Sequence, residues 1–247
     1  MKKRLLILGM IFTMAVSSAG CGSSSSDNAG KTDQQKQTAN VQDSQKDTSL
    51  GNKSDNKKDT SYKSADEITM DDLMSHDETS AEDFEFNDSA DEIVIQKYVG
   101  KDPIVVIPDE IDGKKVIGFN KTFSHDKNII AVRIGNNITE IDRNAFGNSV
   151  NLKYLVLGKS VKSIDGENFS GTSLKELILN DGLEKIGEDD FTDYVDPPLN
   201  NWGMDLKIPE SVTELHVAEF NLIGKSGSYA EQYANEHADA GVTFTAE

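Results

Sequence analysis

Apolar residues between Ile129 and Phe191 follow one pattern three times. The copies are Ile129-x-x-Val132-x-Ile134-x3-Ile138-x-x-Ile141-x4-Phe146, Leu152-x-x-Leu155-x-Leu157-x3-Val161-x-x-Ile164-x4-Phe169 and Leu174-x-x-Leu177-x-Leu179-x3-Leu183-x-x-Ile186-x4-Phe191. The closing phenylalanines recur at intervals of 23 and 22 residues. A fixed period of this length predicts a solenoid in which each copy is one coil stacked on the next.

The pattern continues less regularly on both sides of these copies. Upstream, Ile107, Ile111 and Phe123 take the same roles around an insertion at 112–115. Downstream, a further copy is formed by Leu206, Ile208, Val212, Leu215 and Phe220, after an insertion at 192–204 that breaks the period. We therefore expect about five coils of 22–23 residues.

Each coil is predicted to contain a short strand, because alternating positions such as Val132 and Ile134 lie on one side of a strand. Successive copies then lie parallel in one sheet. The predicted fold class is an α/β-type solenoid dominated by short parallel strands. Phe84-x-Phe86 and Ile93-x-Ile95 predict an N-terminal β-hairpin cap within 84–103. Residues 221–247 predict a C-terminal cap of a helix and a strand, so the repeat domain is expected over 84–247.

The repeats resemble the BspA-like leucine-rich repeats of bacterial surface proteins. The resemblance rests on Val105-Val106-Ile107-Pro108-x-x-Ile111-x-Gly113, Ala145-Phe146, Ile208-Pro209-x-Ser211-Val212-Thr213 and the tail from Ile223 to Ala234. The third and fourth coils depart from the family pattern, since Asn168 and Asp190 replace the small residue before phenylalanine. The resemblance implies a secreted or surface-displayed recognition scaffold, and it brings no catalytic motif.

Residues 1–20 are predicted to be a lipoprotein signal peptide. Lys2, Lys3 and Arg4 precede an apolar run that is shorter than the roughly 20 residues of a permanent membrane helix. The sequence from Ser18 to Cys21 resembles a lipoprotein processing site, and Cys21 is the only cysteine. We expect Cys21 to carry lipid; the alternative is an ordinary signal peptide with an incidental free thiol.

Residues 21–83 are predicted to be a disordered polar and acidic tether, because they contain few apolar residues. Residues 65–92 carry 12 Asp and Glu and no Lys or Arg, within a chain of formal net charge −18. The alternative is a calcium-responsive or partner-binding segment, although no EF-hand loop motif is present. The acidic charge argues against nucleic acid as a partner.

A candidate binding face follows from the strand alternation. Because Val132 and Ile134 point inward, Arg133 points outward together with its equivalents Val156, Ile178 and Lys207; the flanking column contains Ala131, Tyr154, Glu176 and Asp205. Adjacent outward apolar residues beside an aromatic residue can mark an interaction patch, although β-branched residues also simply suit a strand. The candidate binding residues are Arg133, Tyr154, Val156, Glu176, Ile178 and Lys207, with Trp202 of the 192–204 loop. Trp202 alternatively packs against the neighbouring coil.

The sequence contains no serine-hydrolase, phosphate-loop, dinucleotide or zinc-protease motif, and its four histidines lie at no metal-ligand spacing. We therefore expect no enzyme, cofactor or metal site. An acidic cluster at 188–196 is the candidate for cation binding or carboxylate chemistry, but nothing in the sequence indicates a raised pKa there. The expected function is a monomeric, lipid-anchored scaffold on the outer face of the cell membrane that binds an extracellular protein or glycan. The alternatives are a structural envelope spacer and a secreted hydrolase.

The lipid anchor predicts a change in localisation for Cys21→Ser. Without the thiol no thioether to lipid can form, so the variant should move from the membrane to the soluble fraction when cells are fractionated. A variant that remains as firmly membrane-bound as the wild type would contradict the anchor.

Overall fold

The computed structural model describes residues 64–188, 190–191 and 202–247. The predicted signal peptide, Cys21, the tether up to residue 63 and residues 192–201 of the insertion lie outside the described residues.

Short strands make up most of the regular structure. They are β1 (Phe84–Asp88), β2 (Glu92–Tyr98), β3 (Ile104–Val106), β4 (Glu110–Ile111), β5 (Lys114–Phe119), β6 (Ala131–Arg133), β7 (Tyr154–Val156), β8 (Ser163–Ile164), β9 (Glu176–Ile178), β10 (Lys185–Ile186), β11 (Asp205–Lys207), β12 (Glu214–Leu215), β13 (Asn221–Gly224) and β14 (Thr243–Ala246). The helices are α1 (Met70–Ser75) and α2 (Tyr229–Glu236), with 3-10 turns at Ala65–Glu67, Ala81–Asp83 and Ala238–Ala240.

Two parallel sheets follow the repeat, and the sequence pattern predicts only the larger of them. The larger sheet has the order β3-β6-β7-β9, and its central row consists of the buried residues Val105, Val132, Leu155 and Leu177. The smaller sheet has the order β12-β10-β8 and is built from the second short strand of successive coils. Both sheets are parallel because each coil returns the chain in the same direction.

A column of aromatic rings joins the coils through the core. The rings of Phe123 and Phe146 stack at 5.5 Å between centroids, and those of Phe146 and Phe169 stack at 6.4 Å. The ring of Phe191 is tilted against that of Phe169 at 5.1 Å. Phe220 continues the column at 5.0 Å from Phe191. Aromatic pairs at these separations interact favourably beyond the area that they bury. Each coil is thus stabilised mainly by its two neighbours.

The predicted hairpin is present before the repeats. β1 pairs antiparallel with β2, and β2 then pairs parallel with β5, which pairs antiparallel with β4. Phe84, Ile93, Ile95 and Tyr98 bury their side chains in the same core as the repeats.

The predicted helix and strand are present after the repeats. β14 pairs with β13, and α2 packs against both strands. The Tyr233 hydroxyl donates to the Val217 carbonyl at 2.9 Å and accepts from the Val217 N–H at 3.0 Å.

The predicted tether extends too far, because residues 64–76 are folded; we call them the N-terminal segment. Ile68, Met70 and Leu73 are buried, and the Thr69 hydroxyl accepts from the Asp72 N–H at the start of α1. The Asp72 carboxylate in turn accepts from the Thr69 N–H, which makes a reciprocal cap. Three apolar residues with this local cap are enough to order a segment whose average composition is acidic and polar.

The stacking distance between coils leaves no room for a side chain at Gly158. Gly135 and Gly158 follow equivalent strands, and a Cβ on Gly158 would lie 2.1 Å from the Gly135 carbonyl oxygen. We therefore expect Gly158→Ala to reduce the free energy of unfolding by about 1–3 kcal/mol, which is typical of overpacking. Gly182→Ala is the matched control, since its Cβ would meet atoms only at 3.4 Å and beyond. Urea unfolding monitored by circular dichroism measures both, and equal effects would contradict the close approach.

Candidate functional site

The outward face of the four-stranded sheet brings most of the predicted binding residues together. One row across the strands contains Val106, Arg133, Val156 and Ile178, and a second contains Ile104, Ala131, Tyr154 and Glu176. These rows have the register that the strand alternation predicts.

The N-terminal segment covers the half of this face that is formed by β3, β6 and part of β7. Its residues Ile68, Met70 and Leu73 form one apolar cluster, separate from the main core, together with Ile104, Val106, Ile130, Ala131 and Val156 of the sheet side. Val156 is only 8% exposed, and Tyr154 packs against the edge of the cluster. Val156 is therefore not exposed as the strand alternation predicts, because the chain's own segment covers it.

Polar contacts attach the N-terminal segment at both of its ends. At the first end, Asp66 forms an ion pair with Lys153, which is itself 9% exposed. The hydrogen bond and charge of Lys153 lower the pKa of the Asp66 carboxyl, and Lys175 adds a smaller effect. At the second end, the Arg133 guanidinium donates to the His76 carbonyl at 3.2 Å. Arg133 therefore contacts the segment in addition to lying on the predicted face.

The remainder of the face, which we call the open half, is accessible on β9. Ile178 is 37% exposed, and Glu176 is exposed in the adjacent row. Tyr154 of the neighbouring strand is half-buried beside Glu176. The open half therefore presents an isoleucine, an aromatic ring and a carboxylate on a rigid parallel sheet.

Lys207 lies in a different sheet from these rows. β11 pairs with β13 and not with β9, in a three-stranded parallel sheet of order β11-β13-β14. The Lys207 ammonium forms an ion pair with Glu247 at 2.6 Å. The insertion before β11 interrupts the repeat, so the predicted columns do not extend to Lys207 by strand pairing.

Trp202 packs against the aromatic column. Its indole N–H donates to the Phe191 carbonyl at 3.1 Å, and its ring lies 5.4 Å from that of Phe191 and 6.2 Å from that of Phe220. This is the packing alternative that the sequence left open, and it engages the one polar atom of the side chain.

Comparison with known families identifies the repeats. Residues 115–223 match the family described as BspA type leucine rich repeat region, in six copies. The six copies compare with the five coils expected from the apolar pattern. No curated protein matches the sequence of the chain.

Three solved structures are similar to this chain. A leucine-rich repeat protein of T. pallidum is 26% identical over 60% of this chain and 71% of its own, with a TM-score of 0.51. A leucine-rich repeat protein of Bacteroides ovatus is 21% identical over 59% and 40%, with a TM-score of 0.45. A leucine rich cell surface protein of Faecalibacterium prausnitzii is 20% identical over 70% and 55%, with a TM-score of 0.34. The T. pallidum structure supports the leucine-rich-repeat solenoid.

Within the repeats, Asp190 occupies the position before phenylalanine that Ala145 and Asn168 hold in earlier coils. The Asp190 carboxyl is fully buried, and one oxygen accepts from the Asn168 N–H at 3.3 Å and from its amide Nδ2 at 3.2 Å. The other oxygen has no hydrogen-bond partner among the described residues. Burial raises the pKa of Asp190 to about 7, although the Asn168 hydrogen bonds oppose the shift. Nothing in the sequence indicates this raised pKa, because it results from burial between the coils.

The buried position of Asp190 prevents direct contact with a substrate in solution. Of the other cluster members, Asp189, Asp193 and Asp196 lie outside the described residues. In the ranges 64–188, 190–191 and 202–247, no group of His, Cys, Asp and Glu side chains is arranged to hold a metal ion. No helix in the same ranges has the length and hydropathy needed to cross a membrane.

The raised pKa predicts a pH-dependent effect of Asp190→Asn. The unfolded carboxyl loses its proton near pH 4, whereas the folded one keeps it to about pH 7, so wild-type stability falls between these values. Asparagine already fits this position in the preceding coil. We expect Asp190→Asn to exceed the wild type in unfolding free energy at pH 8, by up to about 4 kcal/mol, and to lose this advantage by pH 4.

Chemical denaturation at several pH values measures the difference between the two proteins. Asp181→Asn, at an exposed carboxylate, is the control and should give a difference that does not change with pH. A flat difference for Asp190→Asn would show that the carboxyl titrates normally.

Proposed function

We propose that this protein is a lipid-anchored, monomeric scaffold on the outer face of the cell membrane that recognises an extracellular protein through the open half of its sheet. The observation that supports the site most directly is Ile178, which is a large apolar side chain 37% exposed at the β9 end of the outward row. Exposed apolar residues on a rigid face are a common feature of protein interaction surfaces.

The surroundings of Ile178 favour a protein over a glycan. Tyr154 supplies an amphipathic ring, Glu176 a negative charge, and Lys175 an exposed positive charge within a few residues. An apolar centre with a charged rim is the usual anatomy of a protein interface.

The proposal of a lipid anchor rests on the sequence and not on the structure. It is supported by the charged start, the short apolar run and the lone cysteine of residues 1–21.

The repeat architecture is suited to this role because stacked coils hold neighbouring strands in fixed register. A partner can therefore meet side chains whose spacing is set before binding. Preorganisation of this kind lowers the entropy lost on association.

The test is binding of the full-length Cys21→Ser chain to an array of extracellular matrix proteins, envelope proteins and glycans. We expect capture of a protein, and a loss of affinity of at least about tenfold for Ile178→Asp. Val150→Asp is the matched control, since Val150 is 40% exposed but lies in a turn away from the sheet. Both variants should melt like the parent.

Three outcomes would contradict the proposal. Capture of glycans alone would show that the ligand is a glycan and not a protein. Capture of a protein with undiminished affinity by Ile178→Asp would move the site elsewhere. No binding to any member of the array would favour an envelope spacer.

A further inference from the structure

The cluster beneath the N-terminal segment is separate from the main core. The core residues of the sheet, such as Val132 and Leu155, point to one side, whereas Val106, Ala131 and Val156 point to the other and meet the segment. The aromatic column lies in the main core, on the opposite side of the sheet from the segment. Departure of the segment therefore leaves the stacked repeats with their own core intact.

The N-terminal segment is a small element at the surface of the repeats. Its helix α1 has six residues, which is shorter than helices that are stable in isolation. Three side chains of the segment, those of Ile68, Met70 and Leu73, are buried, whereas Met74 of α1 is 49% exposed. Such an element belongs to the part of a protein that opens at a smaller free-energy cost than the core.

The face under the segment has an apolar floor and a basic rim. The floor consists of Ile104, Val106, Ile130, Ala131 and Val156. The rim is formed by Lys153 and Arg133, both in contact with the segment, and by Lys175, whose charge acts on Asp66. The segment matches this surface with apolar residues at 68, 70 and 73 and with four acidic and no basic residues between 64 and 76.

Thr79, which follows the N-terminal segment, is hydrogen-bonded to β3. The Thr79 N–H donates to the Val106 carbonyl at 2.9 Å, and the Thr79 hydroxyl accepts from the Val106 N–H at 2.9 Å. Thr79 can therefore stay on β3 while residues 64–76 move. When they move, the floor becomes continuous with Tyr154 and Ile178 of the open half.

We propose that this floor and rim form a docking groove for a short, acidic, amphipathic peptide of a protein partner, and that the N-terminal segment is the resident occupant that such a peptide replaces. The segment shows the chemistry that the groove accepts: a carboxylate against Lys153, followed by apolar side chains spaced by two and three residues on one side of a short helix. This partner is an extracellular protein, as in the proposed function. The biological role of the groove therefore rests on that proposed function.

A labelled peptide with the sequence of residues 64–76 tests the groove in trans. In the full-length Cys21→Ser chain, the attached segment competes at a high effective concentration and should keep peptide binding weak. Ile68→Ser with Leu73→Ser removes two of the three apolar contacts, so the groove should open more often. We expect the peptide to bind this double variant at least about tenfold more tightly, and less tightly as salt is added.

Three matched controls define the specificity. Met74→Ser in the chain should bind the peptide as weakly as the parent, because Met74 is exposed. Adding Val156→Asp to the double variant should abolish binding, since it places a carboxylate in the groove. A peptide carrying the Leu73→Ser change should not bind the double variant.

Two binding results would overturn the proposal. One is a double variant that melts like the parent but binds the peptide no more tightly. The other is a parent chain that sediments as a dimer and dissociates on Ile68→Ser with Leu73→Ser, which would assign the groove to the segment of a second copy.

Hydrogen exchange on the unsubstituted segment gives a test that does not depend on variants. The Leu73 and His76 amides, which donate to Thr69 and Leu73 carbonyls, should exchange at least about a hundredfold faster than the Ile134 and Leu157 amides of the sheet. Equal protection would show that the segment opens only with global unfolding and would overturn the proposal. Because the trans peptide reports on the covered half and the array reports on Ile178, failure of this inference and failure of the proposed function are distinguishable.

Discussion

The structure depends on contact between neighbouring coils. A coil supplies one or two short strands, one corner and one aromatic ring, and none of these buries its apolar surface without the coil on either side. The column from Phe123 through Phe146 to Phe169 makes this dependence visible, because each ring packs mainly on rings from other copies. The parallel sheet and its outward face follow from the same stacking.

The part of the fold that repeats could be predicted from the sequence. Alternation within one copy gives the inward row of Val132 and Leu155 and the outward row of Arg133 and Val156, and the fixed period aligns the copies. The prediction weakens where the period breaks. After the insertion at 192–204, β11 pairs with β13, so the column that ends at Ile178 does not reach Lys207 by strand pairing.

The covering of the face could not be predicted by the same argument. Whether an outward apolar residue is exposed depends on a segment that is distant in sequence, and Ile68 and Leu73 belong to no repeat. The local signal was present, since Thr69 and Asp72 form a reciprocal helix cap, but the surrounding acidic composition obscured it. Asp190 is a similar case, because its burial results from the coils above and below rather than from neighbours in the chain.

The position of Thr79 affects whether molecules of this protein can aggregate through the edge of the sheet. β3 is the outermost strand of the four-stranded sheet, and an unpaired outer strand invites a strand from another molecule to add to it. Thr79 engages both the N–H and the carbonyl of Val106 on that side. One threonine thus closes the first edge of the sheet to aggregation by strand addition, and it does so without covering the outward face of the sheet.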